Sequence, residues 1–252
     1  MLTIKNVVKE FDGFRAVDDL TFGIEENKIT GLIGPNGAGK TTTFNIISGS
    51  LELDKGEVFL ADKKVDNYAT HKIARMGLAR TFQIPRALKK MTVIENLMLV
   101  PHGQSGENLF TSWFNSKKVK EEEKQNYQNA YETLEFLELT HLKDELAANL
   151  SGGQKKLLEM GRALMADPEV ILLDEPGAGV NPTLMNKIAD NILKLKEKGK
   201  TILLIEHNMD LIMSICDRII VMSDGKHLVE GTPEEIKNNP EVLKAYLGEK
   251  SA

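Results

Sequence analysis

The sequence predicts an α/β fold with a mostly parallel sheet, an N-terminal antiparallel β subdomain and an inserted helical subdomain. From Val170 onward, short, continuously apolar segments alternate with helical ones, which is typical of parallel strands covered on both faces. The opening third contains strand-sized segments separated by turn residues, whereas residues 84–149 are mainly helical and polar. We therefore expect one domain whose core comprises residues 1–83 and 168–252, with the helical subdomain at about 84–167.

The individual elements follow from apolar periodicity and turn residues. Strands are predicted at Leu2–Val8, Asp18–Glu25, Lys28–Ile33, Gly56–Leu60, Val170–Leu173, Thr201–Ile205 and Arg218–Met222. Helices are predicted at Lys40–Ser48, Lys155–Ala166, Pro182–Lys198 and Met209–Cys216.

Composition and charge argue against several functional classes. The formal net charge of -5 provides no basic surface that would favour nucleic acid as the principal partner. The single cysteine, Cys216, permits no intrachain disulfide, which indicates a reducing compartment and a buried structural thiol. Residues Met1–Lys5 do not resemble a secretory signal, and no apolar run reaches the ~20 residues that span a bilayer. Any role at a membrane is therefore expected to be exerted from its surface, through a partner.

The glycine-rich loop Gly34–Thr41 has the spacing Gly-x-x-x-x-Gly-Lys-Thr, which predicts phosphate binding. Such a loop turns backbone N–H groups inward, and the following helix directs its N-terminus at the phosphates. Lys40 is expected to reach the β and γ phosphates, and the Thr41 hydroxyl to bind Mg²⁺. A chance glycine turn is the alternative, but the strand before and the helix after provide the expected context. The core is therefore predicted to be a P-loop NTPase core.

A carboxylate pair follows the buried strand Val170–Leu173. Asp174 is the candidate for the metal, because a phosphate loop needs a carboxylate at a strand end to hold the water shell of Mg²⁺. Glu175 follows at once and is placed to accept a proton from the attacking water. Taken alone the pair could be a helix cap, an interpretation that Pro176 would suit.

A second glycine-rich turn is predicted at Leu150–Gln154, directly before the helix expected from Lys155. It provides another helix N-terminus at which an anion can bind. Ser-Gly-Gly alone is a weak signal, because linkers contain the same residues. Its position shortly before the carboxylate pair is what makes it informative.

Together, Gly34–Thr41, Leu150–Gln154 and Asp174–Glu175 resemble the ATPase subunit of ABC transporters, and the similarity extends over essentially the whole chain. The resemblance implies that two copies pack head to tail, with each phosphate loop facing the signature segment Leu150–Gln154 of the other copy. It also implies that ATP closes this dimer and that hydrolysis reopens it.

The resemblance assigns roles to three further side chains. Phe11 matches the aromatic residue that stacks on adenine, with Phe14 as a weaker alternative. Gln83 matches the glutamine that senses the metal and the γ-phosphate, and His207 matches the histidine that contacts the γ-phosphate. The resulting site prediction is, for catalysis, Lys40, Glu175 and His207; for Mg²⁺, Thr41, Gln83 and Asp174; and for ATP, Phe11, Gly34, Pro35, Asn36, Gly37, Ala38, Gly39, Lys40, Thr41, Thr42, Gln83, Ser151, Gly152, Gly153, Gln154 and His207.

Several stretches are similar to the importers of branched-chain amino acids. They are Thr81–Gln83, Met91–Leu97, Ala178–Pro182, Ile205–Met209 and the ending from Glu230 to Gly248. The insertion at about 101–120, with Phe110, Trp113 and Phe114, fits this group and is either a packed hairpin or a patch for a neighbouring subunit. One residue departs from the usual pattern: Asn181 stands where the family commonly has an aspartate, and asparagine keeps the hydrogen-bonding shape but removes a charge that could serve coupling between subunits.

The resemblance implies a second ATPase subunit, identical or a sister chain, two integral membrane permease subunits and, indirectly, a substrate-binding protein. The expected location is the cytoplasmic face of the cell membrane, as a peripheral subunit. ATPases of urea or amide importers and of lipopolysaccharide-type exporters remain alternatives for the cargo. A soluble ABC ATPase is disfavoured because neither a fused second copy nor a long coiled coil is present, and a P-loop GTPase because no Asn-Lys-x-Asp sequence occurs.

Overall fold

The computed structural model describes residues 1–101 and 116–247 of the chain. The strands are β1 (Leu2–Phe11), β2 (Phe14–Ile24), β3 (Ile29–Ile33), β4 (Lys55–Leu60), β5 (Lys63–Lys64), β6 (Leu78–Arg80), β7 (Val170–Asp174), β8 (Thr201–Ile205), β9 (Arg218–Ser223) and β10 (Lys226–Gly231). The helices are α1 (Lys40–Ile47), α2 (Thr70–Arg75), α3 (Val93–Met98), α4 (Ser116–Phe136), α5 (Gly152–Leu164), α6 (Pro182–Glu197), α7 (Met209–Ile215), α8 (Pro233–Lys237) and α9 (Pro240–Leu247). Short 3₁₀ turns lie at Thr140–Leu142 and Ala147–Asn149.

The described strands form two sheets. A six-stranded sheet has the order β10-β9-β3-β8-β7-β6, and all its neighbours are parallel except the antiparallel pair β10 and β9. An antiparallel four-stranded sheet has the order β2-β1-β4-β5. The predicted fold class, with its mostly parallel sheet and N-terminal antiparallel sheet, is confirmed.

Burial explains why the central strands are so easily predicted. Every residue of β3, β7 and β8 is buried, as expected for parallel strands with both faces covered. Helix α1 adds Phe44, Ile46 and Ile47 to a core that includes residues of both sheets.

The register of the parallel strands brings their carboxyl ends to one edge of the sheet. Leu32 of β3 pairs with Ile205 of β8, and Asp174 of β7 pairs with the same residue. The segments that follow these three strands therefore begin side by side. In open parallel sheets, ligands bind beyond the carboxyl ends of the strands.

Strands β6 and β10 and the start of α5 are among the features that differ from the sequence prediction. Strand β6 is only three residues long, and β10 is an edge strand with partly polar sequence, so neither has a strong periodic signal. The β9–β10 hairpin turns at Asp224 and Gly225, with φ of 50° and 78°, values that a type I′ turn requires. Helix α5 begins at Gly152 rather than at Lys155, so the second glycine-rich segment is the first turn of a helix.

The chain forms two compact units. Of the described residues, the larger unit contains 1–83, 168–178 and 185–247, and the smaller contains 84–101, 116–167 and 179–184. In the smaller unit, Gly161 of α5 allows close helix packing, because a Cβ there would lie 2.8 Å from Leu137 Cδ1 and 3.1 Å from Leu97 Cδ2. The aromatic residues of the insertion, Phe110, Trp113 and Phe114, for which a packed hairpin and a patch were the two alternatives, lie outside the described residues. Across residues 1–101 and 116–247, none of the helices combines the length and apolar character needed to span a bilayer.

Candidate nucleotide-binding site

The phosphate loop follows β3, and its backbone explains two of its glycines. Gly34 has a φ of +151°, and a Cβ there would lie 2.1 Å from the Met222 carbonyl oxygen. Gly39 has a φ of +95°, and its Cβ would lie 2.3 Å from the Ala16 carbonyl oxygen. Both obstacles are backbone atoms that cannot rotate away. The loop therefore keeps a tight path that only glycine permits at these two positions.

Lys40 is the first residue of α1 and is buried against the loop that precedes it. Its Nζ donates hydrogen bonds to the carbonyl oxygens of Gly34, at 2.7 Å, and Pro35, at 2.8 Å. The N-cap residue Gly39 has no side chain to cap the helix, so the first N–H groups of α1 face the loop without a side-chain acceptor from the cap. An ammonium group and a helix N-terminus thus converge at one end of the loop, which is an arrangement suited to phosphate.

A cavity of about 380 Å³ lies over the loop in the larger unit. Two aromatic rings at the tip of the β1–β2 hairpin line it, Phe11 with 44% and Phe14 with 66% of the residue exposed. The complete lining is Phe11, Phe14, Ala16, Asn36, Gly37, Ala38, Gly39, Lys40, Thr41, Thr42, Glu175 and His207. The cavity therefore joins both candidate adenine-stacking residues to the phosphate loop, Glu175 and His207.

Glu175 is the centre of a hydrogen-bonded group of side chains. Its backbone has a φ of 48°, an uncommon value for a residue other than glycine, directly after strand β7. Gln83 Nε2 donates to Glu175 Oε2 at 2.6 Å, and His207 Nε2 lies 3.0 Å from Glu175 Oε1. Three residues that the sequence separates widely therefore meet at one carboxylate.

Asp174, one residue earlier, has different surroundings. Its side chain is buried, and its Oδ2 accepts a hydrogen bond from Arg80 Nη2 at 2.9 Å. Arg80 Nη1 in turn donates to Asn45 Oδ1 of α1 at 2.7 Å and, at 3.0 Å, to Oγ of Ser48, the C-cap residue of α1. Sequence reasoning missed Arg80, and the only available signal was a basic residue at the end of a short apolar strand.

Glu206 is a second residue that sequence reasoning missed. It is buried between β8 and His207, and its Oε1 accepts the backbone N–H of Gly177 at 2.5 Å. Its Oε2 accepts the backbone N–H of His207 at 3.1 Å. The carboxylate thus joins the segment after Glu175 to the segment that carries His207. Its position after a buried strand, like that of Asp174, was the signal available in the sequence.

The signature segment belongs to the smaller unit, where it starts α5. Ser151 Oγ accepts the backbone N–H of Gln154 at 3.3 Å, and Gln154 Oε1 accepts the backbone N–H of Ser151 at 2.8 Å. This reciprocal pair is a capping box. A Cβ on Gly152 would meet no heavy atom of the described residues within 4 Å, whereas one on Gly153 would lie 2.0 Å from Leu184 Cδ2. Gly152 therefore presents open backbone.

Asn181, the departure from the usual family pattern, caps a helix. Its Oδ1 accepts the backbone N–H of Leu184 at 2.9 Å, three residues on and just inside α6. An aspartate would accept the same bond with an added charge. The substitution therefore preserves the helix start.

The predicted metal ligands suit Mg²⁺ in their chemistry. Thr41, Gln83 and Asp174 offer a hydroxyl, an amide and a carboxylate, and Mg²⁺ prefers oxygen ligands. Among the described residues, no three His, Cys, Asp or Glu side chains cluster in a way that would hold a metal by themselves. Mg²⁺ is usually held by one or two carboxylates together with substrate phosphates, so this donor set fits a metal that arrives with a nucleotide.

Comparison with known proteins agrees with this geometry. A family model described as "ABC transporter" matches residues 17–178, and one described as "Branched-chain amino acid ATP-binding cassette transporter" matches residues 226–252. The probable branched-chain amino acid transport ATP-binding protein LivG of Archaeoglobus fulgidus is 46% identical, over 98% of this chain and 95% of that protein. The high-affinity branched-chain amino acid transport ATP-binding protein BraF of Pseudomonas aeruginosa is 40% identical, over 99% and 98% of the two chains.

Solved structures show the same fold. An ATP-binding cassette of an ABC transporter, in its ADP conformation, aligns with a TM-score of 0.84 and 40% identity, over 98% of both chains. A nucleotide-free ATP-binding cassette from an ABC transporter aligns with a TM-score of 0.83 and 41% identity, again over 98% of both. The chain therefore belongs to the ABC transporter family, among its branched-chain amino acid transport ATP-binding proteins, and is a nucleotide-binding ATPase.

Proposed function

We propose that this chain hydrolyses ATP to drive a membrane importer of branched-chain amino acids. The observation that carries the proposal is that the phosphate loop, Glu175 and His207 line the same cavity. The cargo is supported by relatives such as LivG and BraF, whose names specify branched-chain amino acid transport and which match over nearly their full length. We further propose that the two compact units act together as one ATPase domain.

Nucleotide binding in this proposal uses the larger unit. Adenine stacks on Phe11, with Phe14 beside it at the hairpin tip, because aromatic faces bind a base without reading its edges. The phosphates lie on the loop Gly34–Thr42, where they compete with two backbone carbonyls for the Lys40 ammonium. The open N-terminus of α1 adds backbone donors and a partial positive charge.

Hydrolysis needs a base, an orienting group and stabilisation of developing charge. Glu175 orients the attacking water and accepts its proton, while Gln83 and His207 hold this carboxylate between them. Lys40 and the loop N–H groups stabilise the charge that develops on the phosphoryl oxygens. When bound through Thr41, Gln83 and Asp174, Mg²⁺ would neutralise charge on the β and γ phosphates. Each step uses residues of the larger unit.

The resemblance to ABC transporter ATPases implies that the phosphate loop of one copy faces the signature segment of another, so in this proposal a complete site requires a second ATPase subunit. An ATP-binding cassette solved as a dimer with ADP and Pi aligns with a TM-score of 0.77 and 26% identity, over 92% of this chain. We infer that ATP closes such a dimer and that hydrolysis reopens it. Two permease subunits in the membrane would receive this motion, with the chain bound peripherally at the cytoplasmic face.

Replacement of the proposed base tests the catalytic assignment. Glu175→Gln keeps the size and a hydrogen-bond acceptor but cannot take a proton, so ATP turnover should fall by about 10²–10⁴-fold. Nucleotide affinity, measured with a fluorescent ATP analogue, should remain near wild type, and an ATP-dependent dimer should accumulate in size-exclusion chromatography. The exposed Glu52→Gln, with the same charge change, is the control and should hydrolyse normally. Undiminished hydrolysis by purified Glu175→Gln would falsify the assignment.

The cargo is tested by reconstitution. Membrane permeases that co-purify with the chain are placed in vesicles with ATP inside, and uptake of radiolabelled leucine is compared with uptake of urea. Leucine uptake that disappears with Glu175→Gln supports the proposal. Urea uptake without leucine uptake would identify another cargo while leaving the ATPase assignment intact.

A further inference from the structure

Arg80 and Asp174 form a buried ion pair at the carboxyl end of the sheet. Only 6% of the Arg80 side chain and 5% of the Asp174 side chain are exposed, and the Nη2–Oδ2 distance is 2.9 Å. Ionic groups are costly to bury, so a pair at this depth requires well-made hydrogen bonds. The other terminal nitrogen of Arg80 provides them, to Asn45 of α1 and to Ser48, the C-cap residue of that helix.

The geometry of this pair requires arginine. The guanidinium group reaches a carboxylate on one side and, on the other, one side chain of α1 and the side chain of its C-cap residue. A single lysine ammonium cannot do this in the same geometry. The Arg80 Cζ atom lies 5.7 Å from the ring centre of Phe44 and 5.5 Å from that of Phe82, so two aromatic rings lie next to the guanidinium group. Its Nε is buried with no hydrogen-bond partner in the described part of the chain. The Arg80 side chain is therefore held by the hydrogen bonds of its terminal nitrogens and by the neighbouring rings of Phe44 and Phe82.

Arg80 joins three elements that carry the metal ligands of the proposed site. It ends β6, three residues before Gln83, and it contacts Asp174 at the end of β7. Through Asn45 and Ser48 it holds α1, the helix whose first turn contains Thr41. A single side chain thus fixes the positions of strand ends and a helix that must present ligands to one ion.

We propose that Arg80 is the positioning residue for the metal carboxylate. It holds Oδ2 of Asp174, so the other oxygen, Oδ1, is assigned to the water shell of Mg²⁺. It also fixes Asp174 relative to α1 and Thr41. This inference rests on the proposed function, because the assignment of Asp174 to the metal belongs to that proposal. Arg80 contacts neither the nucleotide nor the metal and acts through its partners.

Nucleotide affinity then has two parts, the affinity without Mg²⁺ and the increase in affinity when Mg²⁺ is added. Binding without Mg²⁺ depends on the phosphate loop and the aromatic rings, none of which Arg80 hydrogen-bonds. The gain in affinity on adding Mg²⁺ depends on the positions of Asp174 and Thr41. Loss of Arg80 should therefore reduce the Mg²⁺-dependent gain by about 10–100-fold, the usual range when a group that orients a metal ligand is removed.

The experiment measures the dissociation constant of a fluorescent ATP analogue in excess Mg²⁺ and in EDTA. Arg80→Met should lose most of the gain given by Mg²⁺ while its affinity in EDTA changes by less than about 2-fold. Arg80→Lys, which keeps the charge, should recover part of the gain. Arg218→Met, which removes an ion pair with Glu25 and Glu230 in the same unit, is the matched control and should behave as wild type.

If Arg80→Met misfolds, a second variant that retains the Arg80 side chain still tests the proposal. Asn45→Ala removes one anchor of Arg80 and should reduce the Mg²⁺-dependent gain in the same direction, by about 2–5-fold. An unchanged gain in Arg80→Met overturns the inference, and so does equal weakening in Mg²⁺ and in EDTA. If Arg80→Met does not fold, an unchanged gain in Asn45→Ala overturns it instead. Failure of the proposed function is distinct: wild type would then show no gain from Mg²⁺ at all.

Discussion

The two helices that begin in glycine-rich sequence differ in how their first turns are satisfied. Helix α1 begins after Gly39, which has left-handed backbone and provides no side-chain cap. Helix α5 begins after Ser151, whose hydroxyl accepts the backbone N–H of Gln154. The side-chain oxygen of Gln154 in turn accepts the backbone N–H of Ser151. Both starts are rich in glycine, but only α5 provides its own acceptor.

The difference indicates which helix end is built for a ligand. A helix N-terminus without a side-chain cap can direct backbone N–H groups at a ligand, and phosphate is an acceptor that complements their partial positive charge. The α5 end is capped by its own Ser151 and Gln154 side chains, and it presents Gly152 as open backbone. We infer that α1 is the resident phosphate site, whereas α5 offers a preformed surface to the ATP of a second subunit.

The largest effect is expected from adding a methyl group at the start of α1. Gly39→Ala places a Cβ against the Ala16 carbonyl oxygen and forces alanine to a φ of +95°. The free energy of unfolding, measured by urea denaturation, should fall by about 3 kcal/mol, and binding of the ATP analogue should be lost. Gly37→Ala is the control, because no described heavy atom lies within 4 Å of its Cβ. It should lose only about 1 kcal/mol for its left-handed backbone. Equal losses in the two variants would contradict the steric explanation.

A medium effect is expected from removing the cap of α5. Ser151→Ala deletes one acceptor of the capping box, so the free energy of unfolding should fall by about 1 kcal/mol. Thr232→Ala removes the equivalent acceptor from the capping box of α8 and should cost about the same. Only Ser151→Ala should also weaken the ATP-dependent dimer of the Glu175→Gln background in size-exclusion chromatography. If both variants leave that dimer intact, the assignment of α5 to a second subunit's ATP is wrong.

The smallest effect on stability is expected at Gly152. Alanine there enters open space in the first turn of a helix, so the free energy of unfolding should rise by about 0.5 kcal/mol. The same methyl group covers backbone that is proposed to contact the phosphate of a second subunit's ATP. ATP-dependent dimerisation should therefore decrease. Thermal unfolding and size-exclusion chromatography measure the two quantities on one sample. A clear loss of stability would show that the backbone at Gly152 is more crowded than its surroundings indicate.

The sequence predicts the fold class well, and it predicts a phosphate loop whose tight path the structure explains, because both signals are local. Strands such as β3, β7 and β8 are continuous apolar runs, since both of their faces are covered. Gly34 and Gly39 stand at fixed spacing because backbone conformation allows no other residue at these two positions. Strand β10 was missed because a half-buried edge strand has weak periodicity, and the start of α5 because two glycines obscured its cap.

Only the tertiary structure determined which residues that lie far apart in the sequence contact one another. Arg80 meets Asp174 across 94 positions of sequence, because β6 and β7 are neighbours in the sheet. Glu206 reaches Gly177 across 29 positions, because β8 lies beside β7. A single charged residue at a strand end carries no periodic signal, and its partner depends on the order of strands. The sequence by itself determined the parallel sheet and the phosphate loop, whereas strand order selected the side chains that surround Asp174 and Glu175.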